Sequence, residues 1–155
     1  MQDNFILIYN NLITLTTNKN LYKHLTSQDT FSDRLIFFLI HFSFFLKTYK
    51  SPENRKLLQK IYDFNFRQLE LSIREIGYGD QTINKKMKDY LNLFHSIISD
   101  INDWDNLNIS EKNKLLSKFI DHELKDHFLV NYFDDYSLNL SKKSLNLFIK
   151  SVNNH

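Results

Sequence analysis

Glycine and proline are nearly absent from this 155-residue chain, which contains two glycines and one proline. Both glycines, Gly77 and Gly79, fall within residues 74–88, which we call the glycine corner. Long helical patterns lie on either side of it, and glycine is strongly enriched just past a helix end because it accepts positive φ. The sequence therefore predicts long helices joined by one sharp, fixed turn.

Apolar residues recur at spacings of three and four along most of the chain, as on the buried face of a helix. Residues 33–50 are apolar on nearly every side and are predicted to form a Phe/Leu-rich central helix. No segment alternates convincingly at period two. The sequence predicts an all-α fold, with residues 1–155 forming a single-domain bundle of six or seven helices. The expected helices are 4–17, 21–25, 33–50, 52–76, one from residue 80 or 82 to about 102, one from residue 110, and a last one after residue 141.

Capping residues indicate where several helices begin, because their side chains accept hydrogen bonds from free N–H groups. Proline suits the first helical position, where its missing N–H is not needed. Residues 128–140 mix aromatic and acidic side chains without a clear period, so no helix is predicted there. The predicted N-caps are Thr30 or Ser32, Ser51 followed by Pro52, Asp80 or Thr82, and Ser141.

Composition narrows the functional class. A net charge of +2 is too small to suggest a general nucleic-acid binder, and no specific DNA binding is expected. Without cysteine there is no disulfide and no thiolate metal site. The longest apolar run, residues 35–46, is well short of the ~20 residues that span a membrane. The N-terminus lacks the basic start of a secretory signal. We expect a cytoplasmic protein whose membrane contact is at most peripheral.

No catalytic, cofactor or metal site is predicted. His122 and His127 are five residues apart, whereas a helical zinc motif places its histidines four apart so that both face one metal. Asp134 and Asp135 are adjacent in sequence and flank no identifiable pocket. His41, inside the central helix, is expected to be a hydrogen-bonded core histidine; the alternative is a ligand or proton-relay residue.

Charged residues are concentrated at the glycine corner. Arg74 suits the C-terminal end of its helix, and Asp80 is placed either to cap the next helix or to pair with Arg74. Three lysines follow in what should be the first turns of that helix, where cations oppose the helix dipole. Two interpretations remain open: a solvated surface balanced by nearby acids, or a patch that binds lipid phosphate, RNA or an acidic protein. The lysines are Lys85, Lys86 and Lys88, and the acids are Glu75, Asp80 and Asp89.

The glycine corner also carries a family resemblance. Residues 71–80 read Leu-Ser-Ile-Arg-Glu-Ile-Gly-Tyr-Gly-Asp, and residues 83–88 read Ile-Asn-Lys-Lys-Met-Lys. Together they resemble the signature of the ubiquinol–cytochrome c chaperone family, a Ser-x-Arg-Glu-x-Gly-x-Gly-Asp corner followed by a basic Lys-Lys/Arg-Met-Lys stretch. Arg34 and His41 lie where members carry an arginine–aromatic start and a histidine in the buried helix. The resemblance covers about the middle half of the chain and fades after about Trp104.

The resemblance implies an all-helical, non-enzymatic chaperone that assists assembly of the respiratory cytochrome bc1 complex (complex III). Mitochondrial members bind newly made cytochrome b near the ribosomal tunnel exit, with a small assembly partner, at the matrix face of the inner membrane. This chain has about the length of the bare domain, so it looks like a bacterial member, cytoplasmic and peripheral at the inner membrane. The candidate partner-binding residues are Arg74, Glu75, Gly77, Tyr78, Gly79, Asp80, Lys85, Lys86, Met87 and Lys88.

Three points stay open from sequence. Phe128, Leu129, Tyr132 and Phe133 are either exposed contacts for client helices or core residues. The main alternative function is a peripheral lipid-, isoprenoid- or quinone-binding protein, with or without enzymatic activity. That alternative predicts an apolar cavity on the order of several hundred Å3. A helical scaffold with an unrelated partner is the remaining possibility.

Overall fold

The computed structural model describes residues 2–23, 25, 30–120 and 123–153, and the side chains from residue 4 onward in these ranges. These residues form seven α-helices and two short 3₁₀ helices and contain no strand, which confirms the all-α prediction. The 3₁₀ helices are Lys19–Leu21 and Trp104–Asn106. The α-helices are α1 (Gln2–Thr16), α2 (Phe31–Tyr49), α3 (Arg55–Ile76), α4 (Asp80–Ile101), α5 (Ile109–Ile120), α6 (Phe128–Ser141) and α7 (Leu145–Asn153).

Helix α2 is the centre of the fold, as its apolar sequence predicts. It packs against α1, α4, α5 and α6, so almost all of its faces are covered. Phe42 and Phe44 are completely buried. The Phe42 ring lies 5.3 Å from that of Phe94 on α4, and the Phe44 ring lies 5.1 Å from Trp104 and 5.3 Å from Phe133. Each such ring contributes roughly 1.5–3 kcal/mol by leaving water.

One hydrophobic cluster draws residues from all seven α-helices. On α1 the apolar residues Phe5, Ile8 and Leu12, which recur at spacings of three and four, are buried, whereas Ile13 remains exposed. Helices α3 and α4 are more amphipathic than α2 and bury a single stripe each, which leaves their outer faces charged. These outer faces supply the surfaces considered below.

One helix start follows the capping predictions, and a second has a capping pair that was not predicted. Thr30 caps α2 in a capping box, in which Asp33 N donates to Thr30 Oγ1 and Thr30 N donates to an Asp33 carboxylate oxygen. Asn108 and Glu111 exchange a similar pair of bonds at 2.9 Å before α5. Thr30, rather than Ser32, is therefore the cap of the central helix.

The start predicted at Pro52 for the helix 52–76 is wrong, because this helix, α3, begins at Arg55. Ser51 Oγ does accept a hydrogen bond from Asn54 N at 3.2 Å, but the bond closes a separate turn. The Asn54 side chain donates to Tyr49 O at 2.9 Å and ties this turn to the end of α2. A side chain that bonds to nearby backbone in this way competes with the first helical turn.

Two further predictions from the sequence are corrected at the C-terminal end. Residues 128–141 form a regular helix, α6, although their pattern showed no clear period. Ser141 is the last residue of α6 and does not cap α7; that role falls to Ser144, whose Oγ accepts from Leu147 N at 3.2 Å. Near the N-terminal end, a short helix was predicted at 21–25. The structure instead has the 3₁₀ helix Lys19–Leu21, and residue 24 lies outside the described part.

Candidate functional site

The glycine corner joins α3 to α4, and only one of its glycines has an unusual backbone. Gly77 ends α3 with φ +105°, and its N–H donates to Arg74 O at 3.0 Å. Gly79 has an ordinary φ of −73° and is itself the N-cap of α4. Asp80 is therefore the first residue of α4, and the prediction that Asp80 or Thr82 caps this helix is wrong. Gly77 alone requires the freedom of glycine.

The alternative role predicted for Asp80 is confirmed. Arg74 Nη1 donates to Asp80 Oδ1 at 2.7 Å, which links the last turn of α3 to the first turn of α4. Glu70 lies 3.9 Å from Arg74 Nε on the preceding turn. The hydrogen bond that Arg74 donates to Asp80 raises the pKa of Arg74 above its ordinary value. Both partners are exposed, so the pair positions side chains more than it stabilises the fold.

The three lysines do not stand where the dipole argument placed them. Because α4 begins at Asp80, Lys85 is already in the second turn, beyond the reach of the dipole effect. Asp80 supplies a favourable negative charge in the first turn. Lys86 Nζ lies 4.8 Å above the Tyr78 ring, and Lys85 and Lys88 are exposed. Met87 is only 9% exposed and packs in the core, so it does not belong to the surface.

Exposed apolar side chains accompany these charges. Ile76 is 53% exposed and Tyr78 43%, and Leu71 is exposed one turn earlier on α3. A Cβ built on Gly77 or Gly79 would meet nothing within 4 Å, so the corner projects into open space. A convex surface of this kind, with an arginine and an aromatic ring held in place, suits contact with another protein.

His41 is a core histidine, as expected. Its Nδ1 lies 2.6 Å from Phe37 O, and because a carbonyl can only accept, Nδ1 carries the proton and donates. Nε2 therefore accepts from the Tyr132 hydroxyl at 2.7 Å. Burial lowers the pKa of His41 to about 4, which keeps the ring neutral near pH 7. The hydrogen bond between His41 and Tyr132 thus links α2 to α6.

The aromatic residues of α6 belong to the core. Leu129 and Phe133 are buried, and Phe128 and Tyr132 are half-buried against the same cluster. The Phe133 ring lies 5.0 Å from His41 and 4.9 Å from Tyr132. Of the two interpretations left open by the sequence, the core interpretation is the correct one.

The histidine pair considered for metal binding is only partly within the described residues, since His122 lies outside them. His127 Nδ1 accepts a hydrogen bond from the Asn113 side chain at 2.8 Å. Asp134 Oδ1 accepts from Trp104 Nε1 at 2.8 Å and from Lys112 Nζ at 3.0 Å, which is a structural role. Among residues 4–23, 25, 30–120 and 123–153, no three His, Asp or Glu side chains are grouped to hold a metal.

A groove that sequence reasoning missed lies where α2 ends and α3 begins. Its floor is formed by Leu46, Leu58 and Tyr62, and its rim carries Lys50 and Arg55; we call it the basic groove. It has a volume of about 940 Å3, and His95 of α4 closes one side. No Asp or Glu lines it. The available signal was the pair of cations on either side of the Ser51-Pro52 turn.

The grooves bear on the lipid- or quinone-binding alternative. The basic groove has the volume which that alternative needs, but it is an open groove with Lys50 and Arg55 at its rim, not an enclosed apolar cavity. A second groove between α1, α2 and α3 measures about 250 Å3, and exposed Ile13 and Phe31 lie at its edge. That volume is below the 300–1,000 Å3 typical of small-molecule pockets. Neither groove matches the predicted apolar enclosure.

The described part of the chain contains no helix that is both long and apolar enough to cross a bilayer. The fold and the corner together define an all-helical protein with an ordered, charged surface at the α3–α4 turn. The chain belongs to the ubiquinol–cytochrome c chaperone family: the family model described as ubiquinol-cytochrome C chaperone matches residues 23–103, more than half of its length. No curated protein and no solved structure matched the chain.

The matched segment contains α2, α3, α4 and the whole glycine corner. Its end at residue 103 agrees with the point near Trp104 where the resemblance fades. The basic groove also lies entirely within it, because its lining residues run from Leu46 to His95. A chaperone family implies that the protein binds a client protein.

Proposed function

We propose that this protein is a non-enzymatic assembly chaperone that binds newly made cytochrome b and assists assembly of the cytochrome bc1 complex. The observation that carries the proposal is the family match over residues 23–103, the segment that builds the central helix and the glycine corner. The helical fold supports a binding role. Aromatic rings fill its core, and the ordered side chains of the glycine corner lie on its surface, where a partner can reach them.

The glycine corner is the proposed partner-binding surface. Arg74 is fixed by Asp80, and Tyr78 is stacked under Lys86, so two long side chains are already ordered before any partner arrives. Ordering of this kind reduces the entropy cost of binding. Exposed Ile76 beside Tyr78 supplies apolar area, and Lys85 and Lys88 supply charge at the rim. The surface therefore combines an apolar centre with a polar border.

The proposed place of action follows from the client. Newly made cytochrome b enters a membrane, so its chaperone works from the cytoplasm at the surface of the bacterial inner membrane. The ribosome and a small assembly partner are further proposed contacts, as the family resemblance implies. The absence of a membrane-spanning helix among the described residues is compatible with peripheral contact.

Deletion of the gene in the native host tests the proposal. We expect a loss of assembled cytochrome bc1 complex and of its haem b absorbance, restored by the unaltered gene supplied in trans. An affinity-tagged copy should also co-purify cytochrome b from cross-linked membranes. Unchanged haem b spectra and normal complex levels in the deletion strain would refute the proposal.

A further inference from the structure

The basic groove differs from an ordinary solvated surface in how its cations are placed. Arg55 is the first residue of α3, and Lys56 is the second. The first turn of α3 contains no acidic residue, and Asn54 makes no side-chain cap bond there. Two cations therefore sit at the positive end of a 22-residue helix, where they oppose its dipole. An anion bound at this end would relieve that repulsion.

The cations at the rim also have no partners within the described residues. Lys50 and Arg55 take part in none of the ion pairs formed by the described side chains, whereas Lys47 on the turn before is held by Asp105 at 2.6 Å. Gln59, on the groove wall, already donates to Asp63 at 2.9 Å, which keeps that carboxylate engaged outside the groove. The rim therefore presents two cations that take part in no ion pair within the described residues.

Beneath this rim the groove is apolar. Leu58 is buried, Leu46 and Tyr62 are half-buried, and the Tyr62 ring packs 4.8 Å from that of Phe66. Burial raises the pKa of Tyr62, so its hydroxyl stays protonated. A tyrosine at the boundary between apolar and aqueous surroundings is typical of proteins at a membrane surface. The ligand that fits has an anionic head and an apolar body.

The positive surface continues beyond the groove. A neighbouring groove of about 370 Å3 shares Lys50 and Ser51 with it and is lined by Lys143 at the turn between α6 and α7, with Glu53 as its one carboxylate. Leu147, one residue beyond that lining, is 55% exposed, and Leu138 on α6 is exposed as well. A single acidic peptide would fill only one of the two grooves. A membrane surface can place phosphates in both grooves and can bury the exposed leucines among its acyl chains.

From these contacts we propose that the basic groove binds the headgroup and upper acyl chain of an anionic phospholipid and so places the protein on the membrane surface. Lys50 and Arg55 contact the phosphate, and Leu46, Leu58 and Tyr62 contact the chain. This surface lies at the start of α3, whereas the proposed client surface lies at its end. The inference gives a physical form to the proposed peripheral contact, and its test requires no client.

Vesicle binding tests the inference with the purified full chain. Vesicles of phosphatidylcholine and phosphatidylglycerol at about three to one should bind the protein, and binding should weaken with added salt. The double variant Lys50→Gln/Arg55→Gln should lose about thirtyfold in partition coefficient. The matched variant Lys85→Gln/Lys88→Gln removes the same charge from exposed sites at the glycine corner and should lose less than about threefold.

Each other outcome has a clear meaning. An equal loss in the two double variants would show general electrostatic attraction and would overturn the assignment to the groove. Absence of binding by the unaltered protein would overturn it outright, and yet would leave the client proposal intact. Circular dichroism confirms that each variant is folded.

A second measurement examines the apolar floor directly. Monomeric dihexanoylphosphatidylglycerol, added below its micelle concentration, should shift the methyl resonances of Leu46 and Leu58 in an NMR titration. Inorganic phosphate should leave those methyl groups unchanged, and so should an acidic peptide if the groove is made for lipid. If the methyl resonances shift with the peptide but not with the lipid, the lipid assignment is overturned and the ligand of the groove is a protein segment.

Discussion

The two ends of helix α3 carry similar numbers of cations but different arrangements. At its C-terminal end, the glycine corner is convex, and Arg74 is paired with Asp80. At its N-terminal end, the basic groove is concave, and Lys50 and Arg55 have no acidic partner among the described residues. The corner holds its charges in a fixed pattern, whereas the groove leaves its charges open to an anion. Pairing and curvature, more than net charge, separate the surface that we propose for protein contact from the groove that we propose for anion binding.

Both ends depend on the same core, so the largest expected effect is a loss of both. The Phe42 ring lies 5.3 Å from Phe94 on α4 and 6.3 Å from Phe66 on α3, between the two regions. Phe42→Ala should lower the free energy of unfolding by about 3–5 kcal/mol, measured by urea denaturation. Phe31→Ala, at an exposed ring on the same helix, should cost much less. A small loss at Phe42 would mean that the two ends are supported independently.

Acid should destabilise the core through His41. Folding lowers the pKa of His41 from 6.5 to about 4, so between these values the unfolded chain binds more protons than the folded one. The stabilising contribution of the neutral ring is complete above pH 6.5 and decreases as pH falls towards about 4, by roughly 3 kcal/mol in total. Urea denaturation across this range measures it.

Matched histidine variants locate that acid response. His41→Gln should flatten the dependence of stability on pH between about 4 and 6.5. His95→Gln, at the exposed ring beside the basic groove, should leave that dependence in place. If His95→Gln, and not His41→Gln, flattened the pH dependence of stability, the titrating group would be in the groove and not in the core.

The corner itself should show a difference between its glycines. Gly77→Ala forces a Cβ into φ +105°, which costs about 1–2 kcal/mol, partly offset by the reduced entropy of the unfolded chain. Gly79→Ala, at φ −73° with open space around it, should change the free energy of unfolding by less than about 0.5 kcal/mol. Thermal and urea unfolding of both variants measure the difference, and equal effects would contradict the backbone assignment.

The smallest expected effects separate paired from unpaired charge. Arg74→Gln breaks the exposed bond to Asp80 and should destabilise the protein slightly. Arg55→Gln removes a cation without a described partner from the N-terminal end of α3, so the free energy of unfolding should stay unchanged or rise slightly. Urea denaturation at low salt compares the two. A marked destabilisation by Arg55→Gln would reveal that the groove cation is structurally engaged.

Much of the fold could be predicted because helical periodicity and the buried sequence of α2 are strong local signals. The ends were less predictable where a side chain chose between two backbone partners, as Asn54 does when it bonds to Tyr49 O. Helix α6 escaped prediction because its rings pack on more than one side, against His41 and within its own helix, which hides the period.

The site was predicted in part. The Arg74–Asp80 pair could be inferred from spacing across a turn, and the positive φ of Gly77 from its place after a helix. The inward position of Met87 follows from its spacing of four from buried Ile83, although the family motif included it among the candidate partner-binding residues. The basic groove could not be predicted, because it joins the α2–α3 turn to His95, which is distant in sequence and is brought close only by folding.

The most direct test of the central claim is recovery of cytochrome b with variants of the corner. Cells expressing tagged copies are cross-linked, and cytochrome b is quantified in the purified fraction. The double variant Ile76→Ser/Tyr78→Ala should recover at least tenfold less cytochrome b than the unaltered protein, if each exposed anchor is worth more than about 1 kcal/mol. Ile109→Ser, at an exposed isoleucine on α5, should recover as much as the unaltered protein. Equal recovery by all three would contradict the claim that the glycine corner binds the client.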